Sequence, residues 1–174
     1  NTKKIIVVGS ANTDMVVKSK KLPLPGETIL GGTFLMNAGG KGANQAVAAA
    51  RLGGNVMLVA KVGNDIFGKQ TIDGLKTENI NTDHVLVDEE LPSGTALIMV
   101  NEEGENCIVV APGANTRLLP ADISQVKTMA DAAIILTQLE IPLETIEAVA
   151  KMAKSNQQKL IINPAPALSL TDEL

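Results

Sequence analysis

The sequence predicts an α/β protein, a parallel β-sheet covered by helices, with a smaller β-sheet standing off the main body. Three observations carry that prediction. Lys4-Ile5-Ile6-Val7-Val8-Gly9-Ser10 is β-branched and apolar on both faces, the pattern of a strand buried inside a parallel sheet. Strand-like and helix-like segments then alternate along the chain, the order that parallel pairing demands of its crossovers. Two stretches, residues 15–37 and 93–110, break this rhythm with turns and β-type residues only, and are assigned to the small sheet.

Each element follows from its residues. Gly39 to Leu52 (GGKGANQAVAAARL) is Ala-rich, opened by glycines and stopped by Gly53-Gly54, which predicts a helix with accessible N–H groups at its start. Asn55 to Val62 returns to strand pattern and ends at Gly63. Phe67 to Glu78 sets Phe67, Ile72 and Leu75 at the spacing of an amphipathic helix. In the first irregular stretch, Pro23 to Gly26 is a turn and ETILGGTFLM after it offers short strands. In the second, GTALIMV and NCIVVA flank the polar, glycine-bearing Asn101 to Glu105, a hairpin arrangement. The α/β rhythm then resumes. Pro120-Ala121-Asp122 starts a short helix, Ala132 to Leu136 is a buried strand, and Pro142-Leu143-Glu144 opens a helix reaching about Ser155. Lys159 to Asn163 is a last strand, closed by Pro164-Ala165-Pro166, and Thr171 to Leu174 follow a loop.

Composition narrows the function. With 174 residues, 45% hydrophobic and 20% charged, the chain has the balance of a soluble globular domain. A formal charge of −4, no Lys/Arg run and only two aromatic residues exclude nucleic acid as the main partner. Ala130 to Leu136, with an Asp inside, falls far short of a membrane span, and the apolar stretch before Gly9 is too short for a signal-peptide core. The expected location is the cytoplasm, with no membrane partner. The single cysteine, Cys107, precludes an internal disulfide and reads as a small hydrophobe in a strand. The single histidine, His84, has no second histidine for a metal site and is expected at the surface ahead of a strand. Phe34 and Phe67 are the only rings, so a polyhydroxylated ligand would be held by hydrogen bonds and aliphatic walls instead of stacking.

Ligands of open parallel sheets bind beyond the carboxyl ends of the strands. Four polar clusters sit at such places: Asn12-Thr13-Asp14, Asn37 to Asn44, Glu140, and Asn163. Carboxylates and amides of this kind accept from and donate to hydroxyls. Each also has a local alternative, since Asn12 and Asp14 fit turn caps and Glu140 fits the N-terminus of the helix that follows it. The glycines of Asn37 to Asn44 let a ligand approach the backbone, and a helix start favours an anionic or oxygen-rich one. This segment is no Walker A loop, because Gly42 and not Ser/Thr follows Lys41, and no G-x-G-x-x-G or G-x-S-x-G occurs.

Taken together, GSANTDMV (9–16), PGETILG (25–31), NAGGKGANQAVAAARLG (37–53), VGNDIFG (62–68), SGTALIMVNEEGEN (93–106), PGAN (112–115), QLE (138–140) and NPAPA (163–167) resemble the N-terminal part of a ribokinase-like (PfkB) carbohydrate kinase. The resemblance spans essentially the whole chain. It implies a three-layer parallel-sheet fold, truncated, with residues 1–14, 38–92 and 111–174 as the core and 15–37 and 93–110 as a β lid. It also implies ATP-dependent phosphorylation of D-ribose at O5. On the matching positions, Asn12 and Asp14 bind sugar hydroxyls, with Gly40, Lys41 and Asn44 opposite and Glu140 completing the polar set. Ala96, Ile98 and Val110 match lid positions that form an apolar wall, and the lid pairs with a second subunit to give a homodimer.

The family's nucleotide site, its N-x-x-E and G-A-G-D motifs and its monovalent-cation loop belong to a C-terminal half with no counterpart in these residues. ATP with Mg²⁺, and K⁺, are therefore expected of the full-length family member, and this chain alone is expected not to turn over. The other readings are a non-catalytic sugar-binding or dimerising module, and a kinase of the same family for another sugar or a nucleoside. A parallel sheet ended part-way also exposes an edge strand, which predicts association or marginal stability.

Overall fold

The computed structural model describes residues 3–170; Thr171 to Leu174 lie outside the described residues. Its centre is a five-stranded parallel sheet in the order β5-β4-β1-β8-β9, comprising β1 (Lys4–Val8), β4 (Asn55–Gly63), β5 (Asn81–Asp88), β8 (Ile134–Gln138) and β9 (Lys159–Asn163). The alternation of side chains along β1 explains why this strand is apolar throughout. Ile6 and Val8 enter a core with Val59, Ile135, Ile123 and Ile146, whereas Val7 enters a second core with Leu58, Ala46 and Leu75 on the other face. Helices α1 (Lys41–Arg51) and α2 (Ile66–Thr77) cover that second core, and α3 (Pro120–Ser124) and α4 (Leu143–Ser155) supply residues to the first. Three layers result, as the sequence predicts. Among the described residues, no helix is long and apolar enough to cross a membrane.

The small sheet has the order β3-β2-β6-β7, from β2 (Asn12–Lys18), β3 (Thr33–Gly39), β6 (Gly94–Val100) and β7 (Asn106–Ala111). Its β2 and β6 run parallel, and the two outer strands run antiparallel to them. The chain enters or leaves this sheet at Asn12, Gly39, Gly94 and Ala111, which lie at one end of it. That end is latched to the core through Asp65. Its carboxylate accepts from Gly68 N–H (2.8 Å) at the start of α2, and from both N–H and Oγ of Ser93 (2.7 Å each), one residue before β6. Ser93 Oγ in turn accepts from Gly63 N–H at 2.9 Å.

Several local expectations change. The glycine-opened helix begins at Lys41 because Asn37 to Gly39 pair with Asn12 to Asp14 as the end of β3. Asn12 and Asp14 are ladder residues of β2, not a loop after β1. His84 lies within β5, an edge strand of the main sheet whose buried residues are Val85 and Asp88, and is half-buried. Cys107 is exposed, because the face of the small sheet it occupies has nothing packed over it. At the other margin, β9 forms one edge of the main sheet, with Ile161 41% exposed.

Candidate functional site

Strand order reverses at β1: β4 lies on one side of it and β8 on the other. A crevice opens beyond the carboxyl ends of strands at such a reversal. The sequence places Gly9-Ser10-Ala11-Asn12 at the end of β1, Leu139-Glu140 at the end of β8, and the start of α1 against both. A cavity of about 450 Å³ occupies this position, lined among others by Asn12, Lys41, Val110, Asn115, Glu140 and Ile141.

Glu140 organises the polar wall. Its Oε2 accepts from Ser10 Oγ (2.5 Å) and from the backbone N–H of Lys41 (2.9 Å), the first residue of α1, and its Oε1 pairs with Lys41 Nζ (2.5 Å). The carboxylate thus meets the N-terminus of α1, where peptide dipoles favour negative charge. It does not cap α4, the helix next to it in sequence. Burial pushes the Glu140 carboxyl upward, but donation from Lys41 Nζ, Ser10 and the Lys41 N–H outweighs it and holds the group below its ordinary value. Gly40 and Gly42 bring this helix start directly onto the end of β1; a side chain at either would strike the backbone of Ser10 or Ala11.

Asp14 lies on the small sheet in one cross-strand row with Asn37, Ala96 and Val110, so these four side chains share a face. Leu35, Val16, Ile98 and Ile108 form the next row of that face. The single carboxylate is therefore set among aliphatic side chains. Its oxygens lie against Gly39, where a Cβ would land on the carboxylate itself. Burial pushes the Asp14 carboxyl above its ordinary value, the Glu140 charge adds to the rise, and the Lys41 ammonium opposes it. Those mutual effects mark Asp14, Glu140 and Lys41 as neighbours.

The arrangement brings Asn12, Lys41, Val110 and Glu140 around one cavity, with Gly40 at its helix start and Asp14, Ala96 and Ile98 on the adjoining face of the small sheet. Asn44 is placed elsewhere. It is exposed, one turn along α1, and lines a separate hollow between α1 and α2 with Arg51, Gln70 and Thr71. Two polar residues escape sequence reasoning: Ser10, which donates to Glu140, and Asn115, which donates to Asn12 Oδ1 at 2.7 Å. Both stand inside motifs already singled out, GSANTDMV and PGAN, but nothing local gives their partners.

Comparison with known proteins gives the family. Residues 2–174 match the pfkB family carbohydrate kinase pattern. The chain is 45% identical over 170 residues to ribokinase of Bacillus subtilis, covering 97% of this chain and 58% of that protein. It superposes on ribokinase from Giardia lamblia with a TM-score of 0.88 at 32% identity, covering 99% of this chain and 53% of that one. It also superposes on Arabidopsis thaliana ribokinase, a structure complexed with ribose and ATP, with a TM-score of 0.82 at 34% identity, covering 93% and 53%. The chain spans little more than half the length of these relatives. On this evidence the chain belongs to the pfkB family of carbohydrate kinases.

Proposed function

We propose that this chain is the acceptor-binding half of an ATP-dependent ribokinase, which phosphorylates D-ribose at O5 to give D-ribose 5-phosphate in the cytoplasm. The observation that carries the reading is the convergence of hydroxyl-binding groups on one crevice at the strand-order reversal, faced by an aliphatic wall. Asn12, Asp14, Lys41 and Glu140 come from three separate segments, Val110 lines the same cavity, and Ala96 and Ile98 lie on the face of the small sheet that Asp14 and Val110 share. A sugar presents hydroxyls on its rim and C–H groups on its faces, and this pairing of surfaces suits both. The carboxylate of Asp14 accepts hydroxyl protons, Asn12 donates to a hydroxyl oxygen, and Gly40 leaves room for the ligand to approach the backbone before α1. Asn44 joins this set only by approach of the ligand along α1. Residues 1–14, 38–92 and 111–174 are assigned to the core and 15–37 and 93–110 to the lid, with Asn12 to Asp14, Ala38, Gly39 and Ala111 the strand ends by which the lid joins the core.

Phosphoryl transfer requires a base at the acceptor hydroxyl and neutralisation of phosphate charge. Among the described residues, no group of three or more His, Cys, Asp or Glu side chains is placed to hold a metal ion. The nucleotide, both cations and the base are assigned to the C-terminal half of the full-length family member. This chain's own contribution is to bind and orient the sugar and to exclude water. The far face of the lid carries Phe34, Met36, Leu97 and Val109, each 45% to 67% exposed, which suits pairing of two copies into a homodimer.

The test is a coupled phosphorylation assay on the full-length protein, with ribose, fructose and adenosine in parallel. Ribose is the expected acceptor, and Asp14→Ala is expected to raise its KM at least tenfold. Preference for fructose or adenosine would reassign the acceptor, and ribose binding without phosphate transfer would favour a binding module.

A further inference from the structure

Asn115 lies where the core meets the small sheet, and it is 1% exposed. Its Oδ1 accepts from Ala11 N–H at 2.9 Å. Its Nδ2 donates to Asn12 Oδ1 at 2.7 Å, to Pro112 O at 2.9 Å and to Ala11 O at 3.3 Å. A backbone N–H can only donate, and backbone carbonyls can only accept, so this side-chain amide has one permitted orientation. The opposite orientation would set an NH₂ against an N–H and an oxygen against two carbonyls.

The constraint passes to the next amide. Because Asn115 presents a donor, Asn12 must turn its Oδ1 toward it, which leaves the Asn12 NH₂ on the cavity side. No protein acceptor takes that NH₂ among the described residues. Gly94 makes room for the pair, since a Cβ there would land on both Asn12 Oδ1 and Asn115 Nδ2.

We infer that Asn115 is a positioning residue that fixes the hydrogen-bond polarity of Asn12, so that the cavity offers a donor at Asn12, with the acceptor at Asp14 two residues along the same face of β2 and leaning on Gly39, the cross-strand partner of Asn12. This rests on the sugar-site reading above for its ligand, but the amide orientation stands in the free protein. A ligand oxygen able to accept from Asn12 and donate to Asp14 is a hydroxyl. A carbonyl or ether oxygen satisfies only Asn12. Selectivity for a hydroxyl at this point then originates at a residue in the cavity wall whose own amide is spent on protein partners.

The experiment combines side-chain amide hydrogen exchange by NMR with ribose titration of the wild-type chain, Asn115→Asp and Asn12→Asp. In the free wild type, the Asn115 amide protons are protected at least tenfold relative to those of Asn12. In Asn115→Asp the carboxylate calls for a donor, so the Asn12 amide turns, its protons become the protected pair, and ribose affinity falls at least tenfold in the folded protein. Asn12→Asp keeps the bond from Asn115 and replaces the donor in the cavity by an acceptor. It is expected to fold, to retain Asn115 protection and to lose affinity to a similar degree, and it decides the matter should Asn115→Asp not fold. Protected Asn12 protons in the free wild type, or wild-type ribose affinity in folded Asn115→Asp or in Asn12→Asp, would overturn the inference. Absence of ribose binding by every form, with the exchange pattern as stated, would sink the sugar reading and uphold the positioning of Asn12.

Discussion

Replacing Glu140 by alanine removes one carboxylate and strands three donors, and the consequences can be added up from their surroundings. The Lys41 N–H at the start of α1 loses its acceptor, a loss of the kind measured at helix N-termini, about 1 kcal/mol. Ser10 is fully buried, so its Oγ loses an acceptor it cannot replace with water, at about 1–2 kcal/mol. The Lys41 ammonium, whose side chain is 37% exposed, turns to solvent, and its pairing contributes at most about 1 kcal/mol. The expected total for Glu140→Ala is about 3 kcal/mol, which at typical urea sensitivities lowers the unfolding midpoint by about 1–2 M. Urea unfolding followed by far-ultraviolet circular dichroism measures it directly. Glu140→Gln retains an acceptor for Ser10 or Lys41 and is expected to lose about half as much. Adding Ser10→Ala to Glu140→Ala should cost little further, because its bond is already gone. A loss below about 0.5 kcal/mol for Glu140→Ala would refute the reasoning, for the carboxylate would then be a bystander at the helix start.

Four further outcomes are expected. Gly39→Ala places a methyl where the Asp14 carboxylate lies and forces that carboxylate aside; loss of one charge-assisted hydrogen bond should weaken ribose binding by roughly 10–100-fold in calorimetry, with little change in unfolding. The acid limb of stability should be shaped by Glu140, whose folded value lies below 4.5: its contribution is complete above that value and is lost as pH falls through the folded one, so Glu140→Gln should flatten the limb. Asp14 has the opposite sign, because its folded value lies above 3.8; Asp14→Asn should stabilise the fold at neutral pH, and that gain should vanish in acid as the wild-type carboxyl takes up its proton. Finally, Leu97→Glu, on the far face of the small sheet and 55% exposed, should lower the associated fraction in sedimentation without changing the far-ultraviolet spectrum. A wild-type chain that stays monomeric at all concentrations would refute that assignment of the face.

Legibility from sequence divided along a physical line. β1, β4 and β8 were readable because a strand buried on both faces carries its signature in every residue. The start of α1 was readable only to within two residues, since the pairing of Gly39 with Asn12 decides where β3 ends and that pairing is not local. Glu140 illustrates the same limit more sharply. Its sequence neighbour is α4, but its carboxylate serves a helix 99 residues earlier. Asn115 bonds to Ala11 across 104 residues, and no spacing rule reaches that far. Asn44 shares a motif with Lys41, but it lines the hollow that α2 closes with Gln70 and Thr71, and no local spacing reveals that α2 packs there. Cys107 reads as a small hydrophobe in a strand and is exposed, because apolar alternation does not say which face finds a partner.

The single-ended attachment of the small sheet makes it a cantilever. Its strands run six or seven residues from the seam at Asn12, Gly39, Gly94 and Ala111, a reach of about 20 Å. Tilting such a plate by about 10° at the seam sweeps its free end through about 3.5 Å, while Asp14, two residues out, travels only about 1 Å. Mechanical leverage is thus distributed unequally: the outer end, where Lys18, Thr33, Val100 and Asn106 pair, can swing wide while the carboxylate near the fulcrum keeps its aim.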